Sequence, residues 1–162
     1  MSSGSRRLDC LVEAGVEYVA GVPCSYLKRF FAGCSTLSAG DFLPAVREDH
    51  AVAACAGAWL AGKLPLAAMQ NSGLGYCLEV LTSLHLMYRL PLPMVVSDRG
   101  TATDFEEHRI LGQRTRKLFD LFEIPWRLAV PGGEEADARW LVMAARESRR
   151  PAVLLVEREA DS

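Results

Sequence analysis

Between Leu64 and Gln70 the chain reads LPLAAMQ, a run with no charge and no alternation of polar and apolar positions. A strand wetted on one face alternates, so a strand without alternation must be covered on both faces. A parallel sheet between two helical layers meets that demand. The rest of the chain repeats the arrangement. VEYVAGVP (Val16–Pro23), DFLPAV (Asp41–Val46), LPMVVS (Leu92–Ser97), PWRLAV (Pro125–Val130) and PAVLLVE (Pro151–Glu157) read as further strands, with Pro44 interrupting the second.

Helical patterns lie between them. An amphipathic helix is expected from about Arg6 to Ala14, behind a polar tail over residues 1–7. EDHAVAACAGAWLAGK, alanine-rich with acids in its first turn, reads as a helix ending near Gly62. Further helices are expected over Gly75–Tyr88, near Gln113–Phe122 and over Glu134–Ser148, with the polar run from Asp98 to Arg116 as the longest loop. The expectation is one three-layer α/β domain over residues 1–162, with a mostly parallel sheet of about six strands.

Composition narrows the partners. Lys and Arg total 18 against 20 Asp and Glu, a net charge of -2, which gives no electrostatic reason to expect nucleic acid or an anionic membrane. No apolar run approaches the ~20 residues of a membrane span, and Met1–Arg7 lacks an apolar signal segment, so a cytoplasmic location is expected. The five cysteines have no CxxC pair and fit no zinc or disulfide framework. Three of them lie in apolar surroundings and read as buried thiols; Cys24 sits in a turn.

The candidate chemistry gathers at strand carboxyl ends, where ligands sit in open α/β sheets. GVPCS (Gly21–Ser25), REDH (Arg47–His50), QNSGLG (Gln70–Gly75) and the SDRG turn (Ser97–Gly100) would share one edge. The glycine loop fits neither GxxxxGK[ST] nor GxGxxG, so it is no standard phosphate cradle. Glu48 is open to two readings, a first-turn acid favoured by the helix dipole or a functional carboxylate, and Asp49 beside it could serve the helix equally well. His50, His85 and His108 form no metal set by spacing; His85 reads as structural, and His108 as either a proton-transfer group or a solvated loop residue.

Taken in order, GVPCSYLK, REDHAVAACAGAWLAGK, MQNSGLG, SLHLMYRLPLPMVVSDRG and EHRILG resemble the pyrimidine-binding domain of thiamine-diphosphate-dependent 2-oxoacid decarboxylases. More narrowly, they resemble sulfopyruvate decarboxylase α subunits, with phosphonopyruvate decarboxylases next, from about residue 8 to residue 157. The resemblance implies a catalytic Glu48 that hydrogen-bonds the aminopyrimidine ring nitrogen and favours the imino tautomer that accepts the thiazolium proton. It implies cofactor contacts from Gln70, Asn71, Ser72, Gly73, Leu74 and Gly75, a substrate-facing turn at Pro23, Cys24 and Ser25, and a closing loop that carries His108. Arg99, and after it Lys28 or Arg109, is the charge-based candidate for balancing a sulfonate or phosphonate.

Such a domain holds thiamine diphosphate only with a diphosphate and magnesium anchor. The family's GDG and later Asn are not in this chain, so the resemblance implies a partner β subunit carrying them, in a heteromer of at least two α with two β chains. The expected activity converts 3-sulfopyruvate or 3-phosphonopyruvate to the aldehyde and carbon dioxide. The alternatives are another thiamine-diphosphate decarboxylase or carboligase subunit, or a non-catalytic regulatory homologue. Two departures bear on the substrate: Tyr76 follows SGLG where the family has Asn, and REDH stands for its REEE.

Overall fold

The structure is a computed structural model that describes residues 5–101 and 104–158. Six strands, β1 (Tyr18–Gly21), β2 (Phe42–Pro44), β3 (Pro65–Gln70), β4 (Leu92–Ser97), β5 (Trp126–Leu128) and β6 (Pro151–Val156), form one sheet in the order β2-β1-β3-β4-β6-β5. Every pairing is parallel, with Val19 opposite Phe42, Ala67 opposite Met94 and Met94 opposite Val153. The central strands β4 and β6 are buried along their whole length, which is why their sequences run apolar without alternation. The edge strands β2 and β5 have only three residues each, and Pro44 closes β2 at the edge, where a missing N–H costs no ladder bond.

The helices are α1 (Arg6–Glu13), α2 (Lys28–Cys34), α3 (Glu48–Leu60), α4 (Leu74–Val80), α5 (Arg109–Leu121) and α6 (Glu134–Ser148). One core packs Leu8, Leu11, Phe30, Phe31 and Leu141 of α1, α2 and α6 against Val19, Leu66 and Leu154 of the sheet. A second packs Val52, Cys55, Leu74, Cys77 and Phe119 of α3, α4 and α5 against Met69, Met94 and Leu155. Alternate sheet residues thus feed opposite cores, and the three-layer architecture follows.

Several boundaries differ from the sequence reading. The helix α2, with the 3-10 turn Ser25–Leu27 before it, is not among the expected helices; no side chain caps it, so no start signal marks it. The helix α5 begins four residues earlier than expected; none of Arg109–Gly112 in its first turn is buried, so no core-facing periodicity marks its start. Past Val80, α4 continues as a π-helix over Leu81–Leu86. The helix α1 starts at Arg6, as expected, and Arg7 in its first turn is buried. Four cysteines rather than three are buried, namely Cys10, Cys34, Cys55 and Cys77, and burial pushes the thiols of Cys34 and Cys77 up to about 12. No helix among the described residues is long and apolar enough to cross a membrane.

Candidate functional site

Parallel strands bring all their carboxyl ends to one edge. There β1 runs into Val22–Cys24 and the turn Ser25–Leu27, β3 into the 3-10 turn Asn71–Gly73, and β4 into Asp98–Gly100. After β2, Arg47 in extended conformation leads into α3, with Glu48 as its first residue. Contacts tie these turns together: Cys24 Sγ lies 3.4 Å from Ser97 Oγ, and Asn71 Nδ2 donates to the Arg99 carbonyl at 2.8 Å.

Arg47 turns away from Glu48. Its Nε and Nη2 reach the Asp49 carboxylate at 3.1 and 2.8 Å, and its guanidinium lies over the Tyr76 ring. The hydrogen bond from Arg47 holds the Asp49 carboxyl below the usual carboxylate range. Asp49 therefore takes the local cation, and the partly buried Glu48 carboxylate has no hydrogen bond or ion pair among the described residues. It lies instead against Gly73. A Cβ built on Gly73 would stand 2.6 Å from Glu48 Oε1 and closer still to Cγ and Cδ, so only glycine leaves the carboxylate room.

Arg99 is the hub of the edge. Its Nε and Nη2 both reach Asp104 at 2.7 Å, its Nη1 reaches Ser25 Oγ at 3.1 Å and Gln70 Oε1 at 3.5 Å, and its guanidinium lies 4.2 Å from the centre of the Tyr26 ring. Asp104 also accepts the N–H groups of Gly100 and Phe105, each at 2.8 Å. These bonds, the Arg99 ones first, hold the Asp104 carboxyl far below the usual range although burial opposes it. Arg99 side-chain exposure is only 6%, so the residue expected to face a substrate's acid head is enclosed and ion-paired.

The other expected residues divide. Gln70 and Ser72 stand at the rim, where Gln70 Nε2 donates to Ser72 Oγ at 2.5 Å. Asn71, at 1% exposure, turns inward, and its amide serves both the Arg99 carbonyl and Thr115 Oγ1. Leu74 places its side chain in the core, while Gly75 opens onto free space. Pro23 and Ser25 are exposed and Cys24 partly so. His108 ends the 3-10 turn Glu106–His108; its carbonyl abuts Gly100, and its imidazole hydrogen-bonds no described residue. His85 is buried between the carbonyls of Leu90 and Val52, as a structural residue should be. The sequence reading missed Asp104, Tyr26 and Thr115 as members of this network. Only the closeness of Asp104 to Arg99 in sequence hinted at their pairing.

No group of three or more His, Cys, Asp or Glu among the described residues could hold a metal ion. For an aminopyrimidine the fit is better: an unpaired carboxylate, a glycine turn against it and rim groups able to hydrogen-bond.

Comparison with known proteins gives the same direction. No family model matches the chain. The sulfopyruvate decarboxylase subunit alpha of Methanothermobacter thermautotrophicus is 35% identical over 88% of this chain and 88% of its own length. The corresponding subunit of Methanococcus maripaludis is 32% identical over 78% of this chain and 76% of its own. The phosphonopyruvate decarboxylase of Streptomyces hygroscopicus is 39% identical over 79% of this chain, which spans only 32% of that longer protein. Among solved structures, benzoylformate decarboxylase from Polynucleobacter necessarius superposes with a TM-score of 0.69 at 17% identity, over 93% of this chain and 28% of that one, a likeness of fold. At 35% identity over 88% of each chain, and 32% over about three quarters of the second subunit, this chain belongs to the sulfopyruvate decarboxylase α-subunit family.

Proposed function

We propose that this chain is the pyrimidine-binding α subunit of a thiamine-diphosphate-dependent decarboxylase that acts on 3-sulfopyruvate or 3-phosphonopyruvate. The observation that carries this reading is the unpaired Glu48 carboxylate pressed against the turn at Gly73. When bound, thiamine diphosphate supplies the electron sink for loss of carbon dioxide. Glu48 would share a proton with the pyrimidine ring nitrogen, and its partial burial strengthens that hydrogen bond. Gln70, Ser72 and the backbone of residues 73–75 would line the ring, with Asn71 holding their turn from behind. Pro23, Cys24 and Ser25 would face the 2-oxoacid, with Arg99 behind Ser25, and His108 would exchange a proton with the product.

A partner subunit carrying GDG and a later Asn would hold the diphosphate and magnesium, in a heteromer of at least two chains of each kind. The outer side of α3 supports such a partner. Ala53, Gly57 and Leu60 are exposed there on a helix that carries no charge beyond Asp49, a composition suited to a covered surface.

The test is calorimetric titration of thiamine diphosphate with magnesium into this chain, and into its complex with the GDG-bearing subunit. Binding to the complex alone, with release of carbon dioxide from 3-sulfopyruvate or 3-phosphonopyruvate, is the expected result. A well-formed complex that binds no cofactor would overturn the reading.

A further inference from the structure

We infer that Arg99 and Asp104 form a positioning unit that acts on the proposed site through Ser25 and Gln70, rather than by binding the substrate's acid groups. The inference rests on the reading that Ser25 and Gln70 belong to that site.

The guanidinium has no open fork. Its Nε and Nη2 close on the Asp104 carboxylate, its Nη1 serves Ser25 and Gln70, and one of its faces lies over Tyr26. Asp104 is as fully engaged, with two bonds from Arg99 and two from backbone amides, at 2% side-chain exposure. A substrate anion that took Arg99 would leave this buried carboxylate without its cation, and an uncompensated buried charge is strongly unfavourable. The pair is therefore retained when ligand arrives.

What the unit transmits is hydrogen-bond direction. Arg99 can only donate, so Ser25 Oγ and Gln70 Oε1 must accept. With Gln70 Oε1 fixed on Arg99, its Nε2 faces Ser72 and donates to that hydroxyl. Each serine oxygen thus accepts from the network, and each hydroxyl hydrogen is left to donate elsewhere. One buried cation, locked by Asp104, turns two rim hydroxyls into donors. That arrangement suits an acceptor-rich ligand such as a carboxylate or a carbonyl oxygen. The backbone carbonyl of Arg99 meanwhile anchors Asn71, so one residue touches the turns after β1 and β3 while standing in the turn after β4.

The experiment compares Arg99→Lys, Asp104→Asn and the double variant in the assembled complex. Lysine keeps the charge but lacks the fork that spans Asp104 and Ser25. Each single variant is expected to lower kcat by about 10- to 100-fold, the scale of misplaced site groups, with KM for the 2-oxoacid changed less than about threefold. The double variant should be no worse than the poorer single, as for residues that act as one unit. In the chain without its partner, amide exchange should accelerate over residues 22–26 and 70–73 in both single variants, and stay unchanged in β6. Gln70→Leu leaves the ion pair in place and should reproduce the kcat loss at an unchanged melting temperature. A KM that rises in Arg99→Lys and falls in Asp104→Asn, with kcat retained, would make Arg99 the substrate's anchor and overturn the proposal. Unchanged exchange in both variants, or unchanged kcat in Gln70→Leu, would overturn it as well. The exchange readout needs neither partner nor turnover, so it separates this inference from the decarboxylase reading, which fails instead if the wild-type complex is inactive.

Discussion

Gly73 and Glu48 touch so closely that the space of one methyl group separates a glycine turn from a carboxylate: a Cβ at position 73 would lie 2.6 Å from Glu48 Oε1. The atoms in the way belong to a side chain, not to backbone, so the fold can relieve the clash by rotating Glu48. Gly73→Ala should therefore leave folding nearly intact while it displaces the carboxylate. In the assembled complex we expect kcat to fall by about 10²-fold, the cost of roughly 1 Å of misplacement, at a melting temperature within a few degrees of wild type. Steady-state kinetics beside a thermal melt checks both halves. Full activity in Gly73→Ala would show that Glu48 has no fixed position to defend.

Glu48→Gln separates shape from proton affinity. The amide fills the same volume but cannot share a proton with a ring nitrogen as a carboxylate does. Loss of such a group should lower kcat by about 10² or more, within the usual range for positioned proton-transfer groups. Cofactor affinity, read by calorimetry in the complex, should change far less than kcat. A weakened cofactor affinity with kcat retained at saturating cofactor would assign Glu48 to binding alone.

The contrast between Glu48 and Arg99 shows how far residues can be read before they are folded. Sheet and layers were legible because β4 and β6 are buried on both faces and so lack polar positions, a pattern that needs no tertiary knowledge. Placement of the turns along one edge followed from parallel pairing. The helix α2 was not legible, since SYLKRFFAGC has neither a capping side chain nor an acid in its first turn. Nor were the partners of Arg99, because Asp104, Ser25 and Gln70 meet only after three strands are aligned. Asn71 has the composition of a ligand-contacting amide, yet folding turns it inward to Thr115. Residue type suggests a polar contact; the tertiary structure decides with what.

That inward turn is testable by stability. Asn71 donates to the Arg99 carbonyl and to Thr115 Oγ1, and Thr115 Oγ1 donates onward to Leu111 O. Asn71→Ala leaves buried acceptors unsatisfied, so it should cost about 1–3 kcal/mol in denaturant unfolding. Thr115→Val should cost a similar amount. The double variant should cost less than the sum, because both remove one shared bond. Strict additivity would indicate that the two side chains do not interact in solution.

The pH dependence of stability should carry a signature of His85. Its imidazole is fully buried in the π-helical segment beyond α4, with Nδ1 at 3.3 Å from Leu90 O and Nε2 at 3.0 Å from Val52 O. Burial lowers its pKa, the dominant effect, although both carbonyls favour the protonated ring. A group whose folded value lies below its unfolded value binds protons more readily in the unfolded chain. The stability it contributes is complete above the unfolded value, about 6.5 for histidine, and is lost as pH falls from there through the folded value. Urea unfolding of the wild-type chain between pH 7.5 and 5 should thus show a declining free energy, and His85→Gln, which cannot titrate, should show a shallower decline over the same window. The substitution should also lower stability at pH 7.5, because a glutamine cannot span both carbonyls with the same geometry. If the two chains lose stability in parallel as the pH falls, the decline belongs to other groups and His85 is not the titrating residue.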